Sequence, residues 1–495
     1  MSRRVVVIGA GVGGLAAALD LAARGREVLV LERAAAPGGK MRQITIGEAR
    51  IDGGPTVFTM RWVFEELFAA AGADLADHLA LAPVAVLARH AWDGDAARLD
   101  LFADVGASAD AIGGFAGAAE ARGYLDFVAR ARRTYAALEG PFIRGGKPTP
   151  VSLVSRAGIG GVGRLLQTSP FSSLWAALGE HFRDPRLRQL FGRYATYVGS
   201  SPFLAPATLM LIAHVEQSGV WLVEGGMHRI ARAIEALAQT KGAQFRYGAE
   251  VAAILTEGGR VRGVRLADGE VIEAAAVVAN ADASAIGTGR FGAGVAKAVD
   301  AVPRSRRSLS AITWAMHAET AGFPLVRHNV FFSRDYPGEF ADLSARARVP
   351  AAPTVYVCAQ DRGDDDTPPD GPERLLCLIN APARGDSTPM STAEIEAAAE
   401  ASFGVMQRAG LRIARDPARE VLTTPFGFER LFPATGGALY GMAVHGWQAS
   451  FSRPGARTRL PGLYLAGGSA HPGAGVPMAT LSGRLAAAAV LEDIR

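Results

Sequence analysis

The chain has 495 residues, of which 49% are hydrophobic and 20% charged, with 59 glycines and a formal net charge of +4. That length exceeds one simple core and predicts two domains of a globular protein, while the nearly balanced charge, with no long run of one sign, excludes a nucleic-acid-binding tail. The two cysteines, Cys358 and Cys377, have no CxxC spacing, which excludes a zinc or thioredoxin-type site and predicts two buried free thiols in a reducing compartment.

At the N-terminus, Arg3 and Arg4 precede only four apolar residues, too few for a signal peptide. No stretch of ~18 uncharged apolar residues is long enough to span a bilayer. A cytoplasmic chain is therefore expected, and any membrane association must be peripheral. Val5 to Ile8 is a continuous apolar run, the pattern of a parallel strand buried on both faces. Glycines follow at 9, 11, 13 and 14, then an alanine-rich helix from Leu15 to Arg24 stopped by Gly25. Val28 to Leu31 is a second buried strand ending at Glu32. In this strand–turn–helix–strand unit, Gly9 permits a tight turn, Gly11 lets the backbone approach a pyrophosphate, and Gly14 permits close helix–strand packing. Gly13 completes the loop, and the helix N-terminus offers free N–H groups to phosphates. Glu32 can accept hydrogen bonds from both ribose hydroxyls and would repel a 2′-phosphate, which disfavours NADP.

Residues 62 to 214 read as largely helical, with candidates at Trp62 to Ala71, Ala121 to Leu138 and Leu174 to Ser200. From Ala121 to Leu165 the basic residues Arg122, Arg130, Arg132, Arg133, Arg144, Lys147, Arg156 and Arg164 are opposed only by Asp126 and Glu139. Two readings stand: a solvated helical face, or a cationic surface for anionic lipid headgroups. Beyond Gly219 the pattern returns to α/β. Gly225-Gly226-Met227 opens an amphipathic helix from Ile230 to Gln239. Strands are expected at Phe245 to Tyr247, Glu250 to Leu255 and Val277 to Ala279, with a hairpin of Val261 to Leu266 and Val271 to Ile272 around Asp268-Gly269. Residues 290 to 455 suggest a mixed sheet, with Asp361 to Pro372 as an exposed polar loop. Gly462 to Ile494 reads as strand, glycine-rich loop and alanine-rich helix.

The first unit indicates only a dinucleotide. Pro37-Gly38-Gly39-Lys40 then resembles the second glycine pair of the flavoprotein family that includes amine oxidases and carotene desaturases. In that family this loop packs over the FAD pyrophosphate and ribityl chain, so Gly39, Lys40 and Arg42 become candidate FAD residues, the two cations as phosphate partners. Asp52-Gly53-Gly54-Pro55-Thr56 resembles the family's loop near the flavin ring, which nominates Gly54, Pro55 and Thr56. Asp52 itself reads equally as a turn residue or a ligand. Val251 sits where the family's adenine rests against backbone amides, and Glu224-Gly225-Gly226-Met227 resembles the family's Pro-x-Gly-Gly-Met turn, with Val223 in place of proline.

The stretch from Leu463 to Val476 is similar to the signature of bacterial phytoene-type dehydrogenases, with Gly467, Gly468, Val476 and Met478 as FAD-contacting candidates. Amine oxidases carry an acidic residue where this chain has Gly468. Thr56 to Phe64 most resembles the hydroxycarotenoid 3,4-desaturases. The resemblance implies an amine-oxidase-like and GDI-like α/β fold: a Rossmann-type FAD-binding domain from 1–75, 215–289 and 455–495, with an inserted mixed α+β substrate domain from 76–214 and 290–454. It further implies an FAD enzyme that inserts a C3–C4 double bond into an acyclic 1-hydroxy or 1-methoxy carotenoid, such as 1-hydroxyneurosporene. The enzyme would sit peripherally on the inner or intracytoplasmic membrane, and a quinone or oxygen would take the electrons.

No metal site and no His/Asp or Cys/His constellation is read from the chain. His471 is a candidate base or a loop-holding residue. Arg156, His328 and Asn329 are candidate partners for a substrate hydroxyl, Arg156 also being a candidate at the reaction centre. Phe58, Trp62, Phe64, Phe68, Phe191, Tyr194, Tyr197, Phe331 and Phe332 are core or tunnel lining. The alternatives left open are phytoene desaturation, carotene isomerisation or amine oxidation on the same fold, and a non-enzymatic GDI-like binder of prenyl lipids, which would not need an intact flavin site.

Overall fold

The computed structural model describes residues 4–157, 168–169, 171–364, 366–387 and 389–494. Arg164, one of the expected basic residues, lies outside them.

The first strand, Val5–Ile8, sits at the centre of a five-stranded parallel sheet. Its neighbours are Val28–Glu32 and Ala276–Ala279, with Gln244–Tyr247 and Leu463–Leu465 at the edges. Strand side chains alternate between faces, and the alternation sorts the core. Val5, Val7, Val28 and Val30 pack under the helices Val12–Ala22, His228–Thr240 and Val476–Asp493. Val6, Ile8, Leu29 and Leu31 pack on a three-stranded antiparallel sheet of Val251–Glu257, Arg260–Leu266 and Val271–Glu273. The first and last helices touch at glycine: a Cβ at Gly483 would lie 2.1 Å from the Gly13 carbonyl oxygen.

A seven-stranded mixed sheet forms the second layer system, in the order Glu420–Thr423, Ser310–Ala318, Glu373–Ala381, Val355–Ala359, His328–Phe332, Val86–Trp92, Arg98–Phe102. Ile312, Trp314 and Met316 point to the helix Thr392–Arg408, while Thr313 points the other way, into a cavity. The strands of the parallel sheet all fall within 1–75, 215–289 and 455–495, and those of the mixed sheet within 76–214 and 290–454. Among the contacts that join the two sets are these. Ile44, Ile46 and Ile51 of the hairpin Gln43–Ile46/Ala49–Asp52 pack on Ala315, Cys358 and Leu376, and Leu81–Pro83 pairs with Val220–Val223.

Several expectations are corrected. The segment 62–214 is largely helical, as read, but it also contributes the strands Leu81–Pro83, Val86–Trp92 and Arg98–Phe102, which no pattern announced. The helix expected from Leu174 to Ser200 is broken into Leu174–His181, Pro185–Gly192 and a 3₁₀ turn at Arg193–Val198. Asp184 caps the second piece through Arg186 N, and Pro185, at its first turn, cannot continue a helix from before it. The cationic helical face is partly neutralised, because Arg130 pairs with Glu180 at 2.7 Å and Arg144 with Glu66 at 2.7 Å. The loop after Asp361 is not uniformly exposed: Arg362 is buried against Glu373, Nη2 to Oε1 2.8 Å. Both cysteines are free and buried.

Candidate active site

A cavity of about 890 Å³ opens at the carboxyl ends of the parallel strands and runs on to the face of the mixed sheet that carries Thr313, Tyr356 and Leu376. The strand-end position is where open α/β sheets hold their ligands. Every cofactor-binding residue expected from the sequence lines it except Gly14. Gly14 lies behind the wall, where a Cβ would come within 2.1 Å of the Gly9 carbonyl oxygen. The missing side chain lets the start of the helix lie close against the end of the first strand.

The cofactor end is built of main chain. The helix Val12–Ala22 begins at Gly11 and the helix Val476–Asp493 at Gly475, and neither has a side-chain cap. Val12, Gly13, Val476 and Met478 all line the cavity, so two uncapped N-termini face it, and such ends attract anions through free N–H groups and the helix dipole. Glu32 ends its strand with both carboxylate oxygens held, Oε2 by Ala10 N at 2.7 Å and Oε1 by Ala34 N at 2.8 Å. Lone pairs remain for ribose hydroxyls.

Lys40 is half-buried, lies 5.4 Å from the Phe432 ring centroid and donates to the Leu439 carbonyl. Burial lowers its pKa, Asp282 opposing and Arg453 assisting. Arg42 donates to Thr423 Oγ1 at 3.1 Å, and burial lowers its pKa as well. Gly54 could carry no side chain, since a Cβ there would sit 1.8 Å from the Lys40 carbonyl oxygen. Two uncapped helix ends, two half-buried cations and an aligned carboxylate fit a dinucleotide with its diphosphate. Gly9, Gly11, Gly13, Lys40, Arg42 and the Gly467 loop would hold the phosphates, and Glu32 the ribose.

Asp52 lies outside the cavity lining. Its carboxylate accepts from Met227 N at 2.7 Å and His228 N at 3.4 Å, so it caps the helix His228–Thr240. Burial raises its pKa, against those two hydrogen bonds. The same contact explains Gly226 (φ +90°), where a Cβ would meet Asp52 Oδ2 at 2.5 Å.

His471 is buried, donates its Nε2–H to the Gly145 carbonyl oxygen (2.9 Å), and packs edge-on against Phe142 at 5.1 Å. Burial pushes it down to about 4, against its hydrogen bonds to backbone, so the ring is neutral. It is not in the cavity wall, whereas Pro472 is. Arg156 also lies outside the wall: exposed, it donates to the Gly146 carbonyl at 2.6 Å. Asn329 is spent on its own turn, donating to Val326 O at 2.6 Å and accepting from Val326 N at 3.1 Å.

His328 is buried and pushed down to about 3 by loss of water, with Arg327 and Arg193 adding to the effect; its Nδ1 meets the Tyr356 hydroxyl at 2.7 Å. Of the nine aromatics proposed as core or tunnel, only Tyr197 lines the cavity, and the others pack in cores. The aromatic wall comes instead from loops and short helices, including Phe142, Phe171, Tyr336, Trp447 and Phe451, and from Tyr356 on the mixed sheet.

Two important side chains carry no motif. Asn280, at the end of the strand Ala276–Ala279, donates to Gly9 O at 3.3 Å. Its amide also occupies the space that a Cβ at Gly11, Gly13 or Gly467 would need, at 2.7, 2.8 and 2.7 Å. The only signal was its place, a polar residue directly after a buried strand. Arg453 is buried in the wall and donates to the carbonyls of Gly468 (2.7 Å), Tyr440 (2.9 Å) and Met442 (2.8 Å). Burial lowers it to about 10. It ties the Gly467–Gly475 loop to the mixed-sheet half, and no local pattern announces that.

Residues 12–491 match the model of the flavin-containing amine oxidoreductases. The chain is 56% identical over 493 residues to a hydroxyneurosporene desaturase of Rubrivivax gelatinosus, covering 100% of this chain and 94% of the relative. It is 46% identical to the hydroxyneurosporene desaturase of Cereibacter sphaeroides, covering 99% and 98%. Among solved structures, an oxidoreductase of Methanosarcina mazei shares the fold, with a TM-score of 0.61 at 18% identity over 99% of this chain and 100% of that one. With a site that fits a dinucleotide and these matches together, the chain belongs to the flavin-containing amine oxidoreductase family, alongside the hydroxyneurosporene desaturases, and its cofactor is FAD.

Proposed function

We propose that this protein is a carotenoid desaturase that inserts the C3–C4 double bond into acyclic 1-hydroxy carotenoids. The observation that carries this reading is the cavity itself, continuous from the dinucleotide loops into an apolar interior walled by Leu209, Ile212, Val215, Leu376 and Leu378. A long hydrocarbon gains by leaving water for such walls. The full-length identity with proteins named hydroxyneurosporene desaturase narrows the substrate. When bound, FAD supplies the oxidation by accepting the two hydrogens. The chain's own residues hold the polyene, exclude water and orient one end toward the cofactor loops. Hydrogens next to a conjugated system are already activated, so no strong protein base is required. The neutral His471, outside the wall, fits a loop-holding role better than that of a base.

The cavity mouth fits loading from a lipid surface. Phe171 (72% exposed) and Trp447 line it and meet edge to face at 5.6 Å, and Val151 is 80% exposed. No helix among the described residues is long and apolar enough to cross a membrane. Peripheral insertion of this aromatic rim would deliver a substrate that water cannot carry. Flotation with anionic phospholipid vesicles tests it, and a Phe171→Ser/Trp447→Ser variant that floats like the parent would overturn the rim assignment.

The decisive assay for the activity incubates the holoprotein with 1-hydroxyneurosporene. A product two hydrogens lighter, with a red-shifted spectrum, is expected. Conversion of phytoene without conversion of the hydroxylated carotenoid would reject this substrate. Repeating the assay without oxygen, with and without a quinone, identifies the acceptor.

A further inference from the structure

Arg193 is a buried cation in a largely apolar cavity. It is 7% exposed and lines the wall near Leu209, Ile212 and Val215. Its Nε finds no hydrogen-bond partner among the described residues. Its guanidinium carbon lies 4.9 Å from the Tyr197 ring centroid. Burial works against the charge, but Tyr197, Glu216 and Tyr194 hold it above the ordinary arginine value. Glu216, also buried, accepts the Tyr194 hydroxyl at 2.7 Å and the Tyr197 hydroxyl at 2.6 Å. Arg193, Tyr197 and Glu216 all face the cavity.

A hydrocarbon offers such a group nothing. Removing a guanidinium N–H from water without an acceptor is costly, and an all-apolar substrate would be better served by an aliphatic side chain. The cluster makes sense if the substrate brings an oxygen. Its location indicates which end of the substrate. A hydroxyl on C1 is separated from the C3–C4 bond by C2 alone, so the group that binds it must sit close to the cofactor loops. Thr56, on the Gly54–Thr56 loop, shares a 2.7 Å hydrogen bond with the Tyr356 hydroxyl. The turn Arg193–Val198 runs into Gly199, where a Cβ would stand 2.4 Å from the Tyr440 ring, and Lys40 of the cofactor loop donates to the carbonyl of the adjacent Leu439, so the cluster lies on the cofactor side of the cavity.

We infer that Arg193 and Glu216 form the binding site for the tertiary hydroxyl of the substrate, the Arg193 guanidinium donating to the substrate oxygen and the substrate O–H donating to Glu216. This rests on the desaturase reading and adds to it the residues that distinguish hydroxylated from plain acyclic carotenoids. A hydroxyl can use both partners. A methyl ether keeps the acceptor and loses the donor, and a hydrocarbon leaves both partners unmet.

The test measures kcat/KM of the FAD-loaded enzyme on three acyclic carotenoids: one with a C1 hydroxyl, its methyl ether and the parent hydrocarbon. The unaltered enzyme is expected to prefer them in that order. Arg193→Met, close in volume and apolar, is expected to lower kcat/KM for the alcohol by about 10- to 100-fold, the size of one hydrogen bond to a charged group, while turnover of the hydrocarbon is unchanged or rises. Glu216→Gln is the second variant, expected to penalise the alcohol and spare the ether. Flavin content and thermal midpoint are read on each preparation. Equal turnover of alcohol and hydrocarbon by the unaltered enzyme would overturn the inference without any variant. Equal losses on alcohol and hydrocarbon in a flavin-loaded variant would also overturn it, and both outcomes leave carotenoid desaturation standing. If no carotenoid is oxidised at all, the desaturase reading falls and this inference with it.

Discussion

At the cofactor end of the cavity the wall is main chain. Gly9, Gly11, Gly13 and Gly467 crowd around Asn280 so closely that no Cβ fits at Gly11, Gly13 or Gly467. At the substrate end the wall is side chain, with Arg193, Tyr197, Glu216 and Tyr356 set among leucines and valines. The first construction tolerates almost no change of residue type, because it depends on close approach of backbone. The chemistry of the second lies in a few buried polar groups, and by the inference above these set selectivity. The contrast explains how one cofactor site can serve a family with varied substrates.

The comparison can be broken first at the glycines. Gly14→Val places side-chain carbon against the Gly9 carbonyl, 2.1 Å from where its Cβ would stand. Loss of more than about 3 kcal/mol of stability, with loss of bound FAD, is expected. Thermal unfolding and flavin content measure it, and a flavin-loaded variant of parental stability would show that the turn can open.

Glu32→Ala comes next. It removes the acceptor for Ala10 N and Ala34 N as well as the expected ribose contact. FAD affinity should fall by about 10- to 100-fold, or ~1.5–3 kcal/mol, in a flavin titration of the apoprotein. Unchanged affinity would contradict the ribose assignment.

The substrate half is sharpened by pH. Burial pushes His90 and His328 down to about 3, with Arg193 contributing to both. The unfolded chain binds these protons near pH 6.5 and the folded chain does not until about pH 3. The stability the two neutral rings confer is therefore complete above pH 6.5 and falls as pH drops below it, by about 1.4 kcal/mol per pH unit for each ring. His90→Gln should reduce that slope by one proton. Glu339 acts in the opposite sense: burial pushes it up to about 7, so its contribution is present at low pH and lost as pH rises from 4.5 toward 7. Glu339→Gln should steepen the acid loss. Chemical denaturation at several pH values reads both slopes, and parallel curves for parent and variants would contradict the burial argument.

The smallest effect is expected at His471. Gln can keep the contact to Gly145 O, so His471→Gln should lower kcat by less than about tenfold, whereas loss of a general base costs on the order of 10²–10⁴. A loss in that larger range, with a pH profile that changes shape, would restore His471 as a base.

Much of the cofactor half is legible in the chain. A glycine at 9, 11, 13 or 14 after a four-residue apolar run carries its own reason, and Glu32 falls at the strand end where the pattern puts it. The hairpin around Asp268-Gly269 and the final strand and helix are read within a residue or two. The aromatic lining was not legible. Phe58, Phe64 and Phe68 look like tunnel residues because they are large and apolar, yet all are fully buried in one core. An aromatic residue announces burial, not which side of a helix faces a ligand. The break at Pro185 was legible in principle, through Asp184 as cap and proline after it, and helical periodicity obscured it.

The amino-acid sequence by itself determined the dinucleotide unit, the flavin loops and the family, because backbone-built sites restrict residue type over short stretches that can be read in order. Only the tertiary structure decided what the substrate end contains. Thr56 meets Tyr356 across 300 positions, Ser201 meets His445 across 244, and Arg193 acts on His90 and His328 from a separate element. Those meetings follow from sheet register and helix packing, so no local pattern encodes them. They become visible only once the low-dielectric interior forces each buried polar group to find a partner or to wait for one.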